Sequence, residues 1–129
     1  MSSESYHESA DALSESARDL HRAIRSLMEE LEAVDWYQQR VEATKDQELA
    51  AILAHNRDEE IEHAAMVLEW LRRRHPRFDE NLRTYLFTKD PVTEVEAREE
   101  SAASDAEARR ERDESGCLHI GSLKKGHGR

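Results

Sequence analysis

Asn56-Arg57-Asp58-Glu59-Glu60-Ile61-Glu62-His63 decides how this chain folds, because it sets Glu60 and His63 three residues apart inside a segment that otherwise reads as an apolar-faced helix. On a helical wheel of about 100° per residue with Leu53 at zero, Leu49 lies at about −40°, Ala64 at about +20°, Val67 at about −40° and Leu71 at about 0°. Glu60 at about −20° and His63 at about −80° border or enter that stripe, whereas Asp58 and Glu62, near 140° and 180°, point to water. A carboxylate held among apolar neighbours requires a partner that offsets its desolvation. A metal ion is such a partner.

Upstream, Leu20, Ile24, Leu27, Leu31, Val34 and Val41 recur at helical steps and predict a first helix from about Ser14 to Ala43. With Leu27 at zero, Glu30 falls at about −60° and Tyr37 at about −80°, while Glu29 and Glu32 fall near −160° and 140°. Of the three clustered acids only Glu30 borders the core. Tyr37 lies one heptad beyond on the same edge, where its hydroxyl reaches a buried polar group. Trp36 points to the other side.

Thr44-Lys45-Asp46-Gln47 has the form of a capping box with Thr44 as N-cap, so a second helix follows after a short turn and the two pack antiparallel. Pro76 stops the second helix near His75. Residues 79–87, with Leu82, Tyr85, Leu86 and Phe87, carry enough apolar surface for a short third helix. The fold class is therefore all-α, an antiparallel two-helix hairpin plus a short third helix. Residues 1–13 read as a disordered N-terminus, 14–87 as the hairpin domain and 88–115 as a flexible linker of weak helical tendency. Residues 116–129 form a separate segment in which Leu118, Ile120 and Leu123 suit an extended peptide docking into a partner's pockets.

Composition agrees with a small helical unit: 129 residues, 37% charged, 37% hydrophobic, only four glycines and two prolines, with a mean hydropathy of −0.93. Residues 88–129 hold eight Lys/Arg against ten Asp/Glu, so −8 of the net charge of −10 falls on residues 1–87. Such an acidic domain attracts cations and repels nucleic acid and anionic lipid. Cys117 is the only cysteine, which excludes a disulfide framework or thiolate zinc site and fits a reducing cytoplasm. No stretch approaches the roughly 20 apolar residues of a membrane span, and the first 18 residues hold no signal-peptide core, so a soluble, unexported protein is expected.

Di-metal four-helix bundles take one Glu from each of two helices and a Glu-x-x-His from each of the other two. This chain holds half of that set: Glu30, then Glu60 with His63. Two hairpins related by a two-fold axis complete both the bundle and the site. Four carboxylates then balance two divalent ions, and hard oxygen donors with one imidazole per metal suit Fe(II) or Mn(II). The plain alternative is an i,i+3 hydrogen-bonded Glu60–His63 pair. On the outer face, His55, Glu59 and Glu62 are spaced to catch a cation weakly, although a solvated charged face explains them as well.

Met28-Glu29-Glu30-Leu31-Glu32-Ala33-Val34-Asp35-Trp36-Tyr37, His55-Asn56-Arg57-Asp58-Glu59-Glu60 through His63-Ala64-Ala65-Met66, Leu68-Glu69-Trp70-Leu71-Arg72-Arg73 and Arg83-Thr84-Tyr85-Leu86-Phe87 together resemble the encapsulated ferritins over residues 20–87. Leu118-x-Ile120-Gly121-Ser122-Leu123 independently resembles an encapsulin cargo-loading peptide. The resemblance implies a ferritin-like four-helix bundle made by dimerisation, with dimers in a decameric ring inside an encapsulin nanocompartment in the cytoplasm. Its implied activity is that of a ferroxidase oxidising Fe(II) to Fe(III) with O2 for mineral storage. Glu30, Glu60 and His63 would be the di-iron ligands, with Tyr37 beside them. Glu29, Glu32 and Trp36 would line the metal entry, and His55, Glu59 and Glu62 match an outer, weaker metal position. Residues 118–125 would engage the encapsulin shell. A non-catalytic helical cargo or adaptor is the alternative; a di-metal oxygenase needs a substrate pocket that so short and polar a chain does not enclose.

Overall fold

The computed structural model describes residues 6–117 and is helical, with no strand among them. A 3-10 turn, Ala10–Ala12, precedes α1 (Glu15–Ala43), α2 (Gln47–Arg74), α3 (Pro76–Tyr85) and α4 (Val92–Cys117). The chain divides into two compact units, one running to Arg83 and the other starting at Thr84.

In the first unit α1 and α2 pack against each other as the expected hairpin. Ser14 caps α1, its hydroxyl accepting the Ala17 N–H at 3.1 Å. Helix α1 ends at Ala43 as the sequence predicts, but the capping box is displaced. Thr44 is the C-cap of α1, and its hydroxyl accepts the Asp46 N–H at 3.2 Å. Asp46 caps α2, accepting the Leu49 N–H at 3.0 Å. A carboxylate facing the positive end of a helix dipole is the better acceptor, so the aspartate two residues on takes the cap.

The stripe read from the sequence is the packed face. Leu71 is fully buried and Ala64 nearly so, and they are the two buried residues among those described up to Arg83; Leu53 and Val67 are half-buried. Arg57 donates to the Gln38 side chain at 2.6 Å, tying the two helices together toward the turn end of the hairpin. Large apolar side chains nevertheless stay open, including Met28, Leu31, Ile52, Ile61 and Met66.

Helix α2 stops at Arg74, because the residue before a proline is forced to extended backbone and His75 adopts φ −125°, ψ 112°. Pro76 then serves as the first residue of α3, a position that wastes no N–H. The third helix therefore starts three residues earlier than residue 79 and ends two earlier than residue 87. Arg72 anchors the corner: it donates to both Glu69 oxygens, at 2.6 and 2.7 Å, and bonds Asp79 of α3, which also accepts from Arg83 at 2.9 Å.

Residues 6–13, expected as a disordered lead-in, follow α1 instead. The Tyr6 ring lies 4.8 Å from that of His21, and Arg18 donates twice to the Leu13 carbonyl, at 3.2 and 3.0 Å.

In the second unit Phe87 takes φ +61°, the left-handed region, with its side chain fully exposed. The stretch expected as a linker of weak helical tendency is a continuous helix, α4, over 26 residues. Ala, Glu and Arg are strong helix formers, and Glu94 precedes Arg98, as Asp105 precedes Arg109, by the four residues that favour ion pairs. Reading only for apolar burial understates such a segment. Arg98 also reaches back to Asp90 at 2.7 Å. Residues 118–125, the expected shell-binding peptide, lie outside the described residues. No helix among the described residues is long and apolar enough to cross a membrane.

Candidate metal centre

Glu30 leaves the middle of α1, and Glu60 and His63 leave successive turns of the facing part of α2. Each offers one ligand atom within 4.8 Å of the others. His63 Nδ1 lies 3.2 Å from Glu60 Oε2 and 3.9 Å from Glu30 Oε2. Two ligands at about 2.1 Å from one ion are at most about 4.2 Å apart, so both separations suit a shared cation. Both carboxyl side chains are only about a quarter exposed, at 26% and 24%, while His63 is 52% exposed and keeps the site open on one side.

The electrostatics are those of a site short of positive charge. Glu30 is raised above the usual carboxylate range, chiefly because it hydrogen-bonds the Glu60 carboxylate, then through burial and the Glu60 charge, with His63 opposing. Glu60 is lowered, because it accepts from Glu30 and from His63. The two acids are thus pushed in opposite directions and titrate as a pair. A divalent cation relieves their mutual repulsion: two hard oxygens and an imidazole are a donor set suited to Fe(II) or Mn(II).

Among the described residues Glu30, Glu60 and His63 are the one group of three or more His, Cys, Asp and Glu placed to hold a metal. Tyr37 is half-buried on the same edge of α1, and its ring carries the Arg40 guanidinium at 5.5 Å. Glu29, 3.9 Å from Arg25, Glu32 and the half-exposed Trp36 are exposed on α1 and do not join the cluster, although the Glu29 charge helps to raise Glu30. His55 pairs with Glu59 at 3.0 Å, and Glu62 is exposed without joining them in a metal-holding group. Sequence reasoning overlooked Arg57, which fixes α1 against α2 one turn from Glu60. Its signal was present, since it sits at about +40° on the same wheel, a charged residue within the stripe.

Residues 5–89 match the EncFtn-like family model. The chain is 57% identical over 127 residues to the "Encapsulated ferritin-like protein" of Rhodospirillum rubrum, covering 96% of this chain and 91% of that one. It is 62% identical over 91 residues to the "Ferritin-like protein" of Thermotoga maritima, covering 70% of this chain and 80% of that one. The crystal structure of protein ne0167 from Nitrosomonas europaea, 66% identical, superposes with a TM-score of 0.66 over 67% of this chain and 96% of that one.

Proposed function

We propose, from the premise that this chain belongs to the EncFtn-like family, that its iron-related, ferritin-like role is that of a ferroxidase: it takes up Fe(II), passes the electrons to O2 and releases Fe(III) for storage. The observation that carries this reading is the convergence of Glu30, Glu60 and His63 from two helices onto one point. One hairpin supplies two carboxylates and one imidazole, half the set a di-metal bundle uses. Two hairpins across a two-fold axis supply the rest, and open apolar side chains on α1 and α2 such as Leu31, Ile52 and Ile61 give such a pair a reason to form. A decameric ring of such dimers extends the same reading.

In this mechanism Fe(II) is substrate. Glu30 and Glu60 supply charge as the ion enters, and His63, held by Glu60 at 3.2 Å, presents a ring nitrogen. The quarter-exposed carboxylates favour the higher charge of Fe(III), which draws electrons toward the oxidant. The relative's name, "Encapsulated ferritin-like protein", supports a place inside a shell, which we take to be an encapsulin shell in the cytoplasm, entered through residues 118–125. A hairpin pair is too open to hold a mineral itself.

Oxygen uptake and absorbance after adding Fe(II) to the purified protein test the activity. Glu30→Ala, Glu60→Ala and His63→Ala should each slow oxidation by more than about 100-fold, beyond the effect of losing a mere outer partner, while Glu62→Ala should stay near wild type. Oxidation at the wild-type rate in all three variants would overturn the site assignment, and a wild-type rate no faster than that of Fe(II) in buffer alone would leave the protein as a silent cargo.

A further inference from the structure

Met66 is among the most exposed large apolar side chains of the first unit, at 64%. It stands three residues beyond His63 on α2, and i,i+3 neighbours have their Cβ atoms about 5–6 Å apart. It lines a groove of about 540 Å³ whose walls include Ala23 and Ser26 of α1, beside the charged Asp19 and Arg22, and Met66, Val67, Trp70 and Arg74 of α2. Ser26 lies four residues before Glu30, so on both helices this groove opens one turn from the metal cluster. An exposed thioether between a redox site and a tryptophan is placed to react with whatever oxidant leaves that site.

We propose that Met66 is a sacrificial acceptor for hydrogen peroxide formed at the Glu30, Glu60 and His63 cluster, and that it shields Trp70, one turn further along the groove. The inference rests on the ferroxidase reading. Two Fe(II) ions supply two electrons, whereas reducing O2 to water takes four; with two protons the product is H2O2 and two Fe(III). The Met66 sulfur then donates an electron pair to one peroxide oxygen. The O–O bond breaks, an S–O bond forms, and the other oxygen leaves with both protons as water. The sulfoxide is reversible by reductases, whereas ring oxidation at Trp70 is not.

Met28 is an internal control of similar exposure, 50%. It is two residues from Glu30 in sequence but about 160° away around α1, and its sulfur accepts from Arg25 at 3.8 Å. Proximity in the chain thus separates from position along the groove.

The test uses the full chain turned over with Fe(II) and O2, digested and weighed by mass spectrometry, with oxygen uptake recorded in the same sample. Met66 should gain one oxygen in proportion to turnover, several-fold ahead of Met28. Hydrogen peroxide added to metal-free protein should oxidise the two methionines to similar extents. Met66→Leu, a swap of matched volume, should oxidise iron at the wild-type rate and transfer the damage to Trp70, read as lost fluorescence and added oxygen. Iron oxidation with Met66 unmodified, or with Met28 modified equally, overturns the proposal and leaves the ferroxidase reading standing. An absence of iron oxidation removes both.

Discussion

Glu30 is raised and Glu60 lowered because a carboxyl beside a carboxylate ionises less readily, and His63 alone does not cancel the effect. A metal ion bound between them favours the ionised form of both. Mn(II), a redox-quiet stand-in, should therefore release protons on binding at a pH below the raised range of Glu30, and affinity should fall as pH falls. Titration calorimetry in two buffers of different ionisation enthalpy measures the release; identical heats in both would mean that the carboxyls are already ionised. All three members of the cluster were legible in the sequence, since helical phase alone put Glu60 and His63 on or beside the stripe and Glu30 at its edge. Their opposed shifts were not, because these depend on a distance between two helices that no single wheel contains.

The corner between α2 and α3 gives the clearest pH response at the level of elements. Glu69 accepts from Arg72 and Arg73, which lower it from 4.5 to about 2, and Asp79 is likewise lowered, first by Arg72. A depressed carboxylate contributes stability that is complete above its unfolded value and is lost as pH falls toward its folded one. Amides of α3 should therefore exchange faster between about pH 4.5 and about 2, while those in the middle of α1 and α2 hold out longer. Glu69→Gln should shrink that acid step to the part that Asp79 carries. In the hairpin, Leu71→Ala should cost about 2–5 kcal/mol, as it empties the one fully buried position, and Asp46→Ala about 1 kcal/mol through the lost cap; denaturant melts measure both. The hairpin itself was readable from periodicity. The cap at Asp46 was not, because Thr44 and Asp46 both qualify locally and the choice turns on charge against the helix end. Nor was α4, whose helicity comes from propensity and charge spacing rather than from a buried face.

At the level of the molecule, an acidic hairpin with open apolar side chains and a charge-deficient site has two needs that a second copy and a cation meet together. Metal and association should be linked, with the assembled form favoured by RT ln(1 + [L]/Kd). Fe(II) should shift small species to larger ones in native mass spectrometry, and the Glu30→Ala/Glu60→Ala/His63→Ala variant should lose that response. A distribution indifferent to metal in both would rule out a site shared between chains. Deleting residues 116–129 should spare iron oxidation and prevent co-purification with a co-expressed shell. Phe87 offers the same separation without a mutation. Its left-handed backbone, costly for any residue but glycine, and its fully exposed ring make the Phe87–Thr88 bond a preferred cut for a protease that selects aromatic residues. Limited chymotrypsin digestion should sever it first, parting residues 1–87 from the remainder at a single peptide bond.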